Sequence, residues 1–169
     1  MEIKLTNGNT LEIYRDDHGE SPREWDNLST MYCWHRRYTL GDTQADLPDD
    51  MDVATIMINI YAYTKGGISI ATHPFMCQWD SGQLGIAIVT PEEVIANYGD
   101  FSQESQQKAI KCIESEVEVY NYYLQGEVYG YSLKDSEGEE IDSCFGFYGD
   151  DFASNGLYEH AGITEKEVA

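Results

Sequence analysis

"SQESQQKAIKCIESEVEVYNYYL", residues 102–124, is the stretch on which the fold class turns. Ile110, Ile113, Val117, Tyr120 and Leu124 recur at steps of three and four, so a helix gathers them into one apolar stripe with Lys111, Glu114 and Glu118 opposite. Such a helix is expected to lie on a sheet. A shorter helix is predicted just upstream, near residues 91–98. In "TPEEV", Thr90 can cap, Pro91 carries the fixed φ of a first helical position and Glu93 completes a capping box.

Outward from these helices the hydrophobic period becomes two. "IKLTNGNTLEIY" (3–14) reads as two strands around Asn7-Gly8, a dipeptide that accepts the positive φ angles of a tight hairpin. "VATIMINIYAY" (53–63) and "GISIATHPF" (67–75) flank a turn at 64–67, "QLGIAIV" (83–89) is a further strand, and "EVYGYSLKD" (127–135) and "EEIDSCFGFYG" (139–149) flank the turn "SEG". Residues 28–39 satisfy neither period and stay open between strand and short helix. "GDTQADLPDDMD" (41–52) reads as loop, and the tail from residue 150 as short helical turns and loop. The sum is a single α+β domain over residues 1–169, with a mainly antiparallel sheet built from hairpins and the long helix, about 102–124, packed on it.

Charge sets the functional classes. The chain carries 31 Asp and Glu against 10 Lys and Arg, a net charge of −21. By area scaling a folded chain of this mass exposes about 8,400 Å², or one net charge per roughly 400 Å². Duplex DNA carries about one per 110 Å² of its cylinder. Evenly spread, the protein has about a quarter of that density, so mimicry of nucleic acid requires the acids to be gathered on one side. Repulsion from nucleic acid and anionic membrane, and faster encounter with basic partners, follow at any distribution. Direct nucleic-acid or membrane binding is therefore not expected. With no apolar run near 18 residues and no charged-then-apolar leader, a soluble, cytoplasmic protein is expected.

No motif fixes a reaction. Cys33, Cys77, Cys112 and Cys144 are scattered singly and read as buried thiols. His18, His35, His73 and His160 lack metal-ligand spacing, and the acidic loops "DLPDDMD" and "YGDDFASNG" lack the EF-hand pattern, so no metal or cofactor is assigned. Ser81, Ser143 and Cys144 are conceivable nucleophiles with His35 or His73 as bases, without a GxSxG elbow to support them. Phosphate-binding glycine loops are absent from the sequence.

Two groups of residues remain. Arg23, Arg36 and Arg37 sit among Trp25, Trp34, Tyr32 and Tyr38, and either pair internally with Glu24, Asp26, Asp42 or Asp80 or form a cationic pocket; the internal pairing is preferred, because acids are plentiful. The acidic tracts supply the second group, Asp46, Asp49, Asp50, Asp52, Glu137, Glu139, Glu140, Asp150 and Asp151. A solubilising face needs a net charge of only about 2 to 8, so the surplus points to a basic partner or a halophilic host.

The segments "SPREWDNLSTM", "HRRYTLGD", "HPFMCQWDSGQLG", "GEVYGY" and "DSCFGFYGDD" resemble an uncharacterised family of small acidic proteins of bacteriophages and mobile elements. The resemblance implies a setting rather than an activity, since strongly acidic accessory proteins of phages resemble inhibitors that occupy nucleic-acid channels. The expected function is accordingly non-enzymatic: binding, through the nine acids just named, to a basic host protein or nucleoprotein complex such as a restriction or CRISPR effector. The alternatives are a small hydrolase or metal-dependent enzyme with a pocket of Arg23, Trp25, Asp26, His35, Arg36, His73, Trp79, Asp80 and Asp142, and a structural or regulatory phage protein.

Overall fold

The long apolar stripe does form a helix. In the computed structural model, which describes every residue except Gln78, Glu165, Lys166 and Ala169, α1 spans Pro91–Tyr98 and α2 spans Gln103–Leu124. The buried stripe of α2 is Ser105, Ala109, Ile113, Val117 and Tyr120, one position off the expected one at its start, with Ile110 and Leu124 half-buried. α1 starts as expected: Thr90 Oγ1 accepts from Glu93 N–H, and Glu93 Oε2 accepts from Thr90 N–H at 2.7 Å.

Among the described residues the strands form two antiparallel sheets of four, so the α+β class stands and the hairpins divide between two sheets. Two compact units result, residues 1–20 with 122–169, and residues 21–121. The first contains β1 (Glu2–Lys4), β2 (Thr10–Arg15), β7 (Val128–Lys134) and β8 (Glu140–Tyr148), in the order β1-β2-β7-β8. Its core lies on one face, where Leu11, Ile13, Tyr131 and Leu133 pack with Leu157 of α3 (Leu157–His160) and with Ala161 and Ile163. On the other face Gly130 leaves room for a cross-strand pair: the Phe145 ring sits where a Cβ on Gly130 would go, and Tyr14 meets it edge-on at 5.5 Å. The first hairpin closes differently from expectation. Leu5 N–H donates to Asn9 O, and only Gly8, at φ 90°, takes a positive φ; Asn7 instead uses its side chain to accept from Asn9 N–H.

The second unit contains β3 (Thr30–Cys33), β4 (Ile56–Tyr63), β5 (Ser69–Ala71) and β6 (Ser81–Val89), in the order β3-β6-β4-β5, together with α1 and α2 through Asn121. The segment left open at 28–39 becomes strand because Met31 and Cys33 alternate into the core against Ala87 and Gly85 of β6. Side chains tie α2 to this unit: Asn121 Oδ1 accepts from Ile70 N–H at 2.8 Å, and the Tyr120 hydroxyl accepts from Gly41 N–H at 3.2 Å. Cys33 is buried, and burial pushes its thiol up to about 11, whereas Cys77, Cys112 and Cys144 are only half-buried, against the expectation for all four.

The start of α2 makes a pH-dependent contribution. Asp100 Oδ1 accepts from Ser105 Oγ at 2.6 Å and from Ser102 N–H at 3.0 Å, and these bonds, Ser105's first, hold the carboxyl at about 2 instead of 3.8. A carboxylate depressed on folding contributes stability that is complete above its unfolded value and lost as pH falls through the folded one. The first turn of α2 is therefore expected to loosen between about pH 4 and 2, read as faster amide exchange at residues 102–106. Asp100→Asn is expected to flatten that profile; an unchanged profile would assign the acid sensitivity elsewhere.

Candidate functional site

The arginines and the residues grouped as a pocket separate into distinct arrangements. Arg23 follows Pro22, whose ring helps start the 3-10 turn Pro22–Glu24, and its side chain is 5% exposed. The guanidinium forks onto Asp42, Nε to Oδ1 at 3.0 Å and Nη2 to Oδ2 at 2.6 Å, and Nη2 also donates to Ser29 O at 2.7 Å. Nη1 reaches Glu116 of α2 at 3.4 Å. Both acids hold backbone as well: Asp42 accepts from Met31 N–H at 2.7 Å, and Glu116 from Leu28 N–H at 2.6 Å and from the Ser29 hydroxyl. Burial works against the charge on Arg23, and the bonds and charges of Asp42 and Glu116 outweigh it, raising its proton affinity. Arg23 is thus an internal staple. Its preferred partner was among those read from the sequence; Glu116 was not, because its place in the helix pattern says nothing of what faces it.

Trp25 and Asp26 follow in an exposed loop, which Asn27 closes by donating to Pro22 O and Trp25 O. His35, Arg36, Trp79 and Asp80 do come together, lining an open cleft of about 800 Å³ with Thr64, Ser81 and Gln83. Among the described residues no hydrogen bond joins Ser81 to His35. His35 Nδ1 accepts from Arg37 N–H at 3.1 Å and Tyr38 N–H at 3.3 Å, while the Ser81 hydroxyl donates to Cys77 O. His73 lines a second cleft, of about 430 Å³, with Lys111, Glu114 and Glu118. The nine residues grouped from the sequence as one pocket are therefore not one site: Arg23 is consumed in the staple and His73 lies in another cleft.

Asp142 belongs to the first unit. Its Oδ2 accepts from the hydroxyl of the fully buried Tyr131 at 2.5 Å, and the same hydroxyl lies 3.0 Å from His160 Nδ1. Burial first, then the neighbouring carboxylate, push the Tyr131 phenol up, so it stays protonated and ties β7, β8 and α3 together. Sequence reading missed His160 in this cluster, since cross-strand placement of Tyr131 and Asp142 leaves no local signal. Among the described residues no group of three or more His, Cys, Asp or Glu is placed to hold a metal ion, and no helix is long and apolar enough to cross a membrane.

The nine acids are all exposed. Asp46, Asp49, Asp50 and Asp52 lie in the loop before β4, where Asp52 Oδ1 accepts from Ala54 N–H at 2.7 Å. The other five belong to the first unit. Glu137 and Glu139 sit in the β7–β8 turn, ordered by Asp135, whose Oδ1 accepts from both of their N–H groups. Glu140 accepts from Ser132 Oγ at 2.6 Å and Ser143 Oγ at 3.1 Å, and these bonds hold its carboxyl below the usual range. Ser154 does the same for Asp151, beside Asp150 in the following loop.

Charge divides unevenly: the 68 residues of the first unit carry 16 acids and 4 bases, net −12, and the 101 of the second carry 15 and 6, net −9. Within the first unit, residues 135–151 hold seven acids and no base. The adjacent Lys134 is neutralised by Glu12, both of whose oxygens lie 2.7 Å from Nζ. Comparison with known proteins adds no relative, as no family model, curated protein or solved structure matches the chain.

Proposed function

We propose that this chain is a non-enzymatic, acidic accessory protein of a phage or mobile element, which acts in the host cytoplasm by occupying the basic surface of a nucleic-acid-handling complex such as a restriction or CRISPR effector. The supporting observation is the base-free acidic ribbon of residues 135–151, exposed along β8 and its flanks. Area scaling gives the first unit one net charge per roughly 360 Å² against roughly 640 Å² for the second, so the first unit is the more densely charged of the two, at about a third of the density of duplex DNA. Glu140 and Asp151 are held by hydroxyl donors that favour their ionised form, as a phosphate is ionised at neutral pH. In the second unit the exposed acids of the 46–52 loop set up a negative field of their own.

Competition binding tests this. A purified effector of either kind is expected to bind the chain in competition with duplex DNA, with affinity falling at least about tenfold between 50 and 200 mM salt as paired charges are screened. Binding that ignores salt over that range, or that leaves DNA in place, would remove electrostatic mimicry as the mechanism.

A further inference from the structure

A sheet edge is a row of unpaired backbone groups that proteins ordinarily shorten, cover or pair. Three of the four edges here are treated in this way. β1 has three residues, and Leu5 just beyond it bridges to Val168. β3 has four, and the chain at Thr43 lies along it, accepting from Cys33 N–H and donating to Met31 O. β5 has three, with Ile70 N–H spent on Asn121. β8 differs in length and in cover. It runs nine residues, about 30 Å at the rise of an extended strand. Among the described residues, no backbone hydrogen bond crosses the outer edge of residues 140–147.

The side chains there are unusual for a blunted edge. Ile141 is 54% exposed and Phe145 56%. The pairing of β8 with β7 is irregular between Tyr129 and Gly130 and between Leu133 and Lys134, but from Asp142 to Phe145 the register is unbroken. The four-residue segment Asp142–Phe145, with Phe145 at its end and the bulged Ile141 just before it, therefore presents an outer edge that no backbone hydrogen bond crosses among the described residues, within a ribbon of seven acids and no base. That field opposes a second copy of this chain, which would bring the same seven acids alongside, and it suits a strand carrying Lys or Arg.

We propose that the outer edge of β8 takes up an extended, basic segment of the partner protein as an added strand, with backbone hydrogen bonds supplying affinity, Ile141 and Phe145 the apolar contacts, and the flanking acids the choice of a cationic sequence. This inference rests on the function proposed above and names the part of the partner that is held. The partner's segment is recognised by alternation of basic and β-branched residues, since side chains of an added strand alternate between the faces.

The full chain titrated with a ten-residue peptide of alternating Lys and Val, followed by amide hydrogen exchange, decides the matter. Slowed exchange over residues 141–146 is expected, with a Glu-for-Lys version of the peptide giving none. Ile141→Lys is expected to weaken the peptide about tenfold, through lost apolar contact and added repulsion, while Glu92→Gln, an equal charge change on α1, leaves it within about twofold. Protection of β8 by both peptides, or by self-association without any peptide, overturns the proposal. Binding of the Lys peptide with protection confined to the 46–52 loop overturns the edge site while leaving the proposed function standing. Failure of the Lys peptide to bind anywhere at low salt sinks both.

Discussion

Gly85→Ala is expected to destabilise the unit of residues 21–121 by about 3 kcal/mol or more, at the upper end of what overpacking costs. Gly85 lies in β6 between Cys33 of β3 and Ile60 of β4. A Cβ there would stand 1.9 Å from Tyr32 O and 2.8 Å from Cys33 Cα. Those atoms are backbone, so no rotamer change relieves the contact and β3 must move off the sheet. For a unit of this size the loss corresponds to a fall in thermal midpoint of roughly 12 °C or more. Gly82 is the matched control: a Cβ added there, in the same strand, meets nothing within 4 Å, and Gly82→Ala is expected to melt within a few degrees of the parent. Equal melting of the two variants would mean that β3 does not approach β6 so closely.

Arg23→Leu carries the second large effect, about 3 kcal/mol, at the lower end for a buried ion pair because Glu116 is left buried and uncompensated while Asp42 keeps some access to solvent. Asp42 would lose both arms of its fork, Ser29 O its donor and Glu116 the guanidinium it pairs with. Arg23→Lys is expected to recover less than half of this, since a single ammonium cannot make two parallel bonds to Asp42 and also reach Ser29 O. Nor does deleting the acids as well restore the parent, because Asp42 and Glu116 also satisfy the amides of Met31 and Leu28. Chemical denaturation of the single and combined variants separates these cases. Additive, sub-kilocalorie losses would instead describe a solvent-screened surface pair.

These two sites show the limits of reading a linear pattern. Both helices, the capping box, and the three hairpins follow from local rules acting over three or four residues, and each forms, although the arm expected at 67–75 is cut to β5, Ser69–Ala71. Segment 28–39 lacked a clear period because its strand is only four residues long, and its identity is decided by β6 lying alongside. The candidate pocket fared worse for the same reason. Aromatic and arginine composition marked the right neighbourhood, and His35, Arg36, Trp79 and Asp80 do meet, but Arg23 faces inward to a helix residue 93 positions away.

From the amino acids alone come the α+β class, the surplus of carboxylates and the positions of the turns, because periodicity, capping and net charge are sums over near neighbours. Tertiary structure decided that the strands divide between two sheets, that Arg23 is a staple, and that β8, with seven acids in and beside it, is the edge strand of its sheet. Those outcomes depend on which strand lies beside which, and pairing partners far apart in the chain are chosen by burial and shape across the whole unit, which no local window contains.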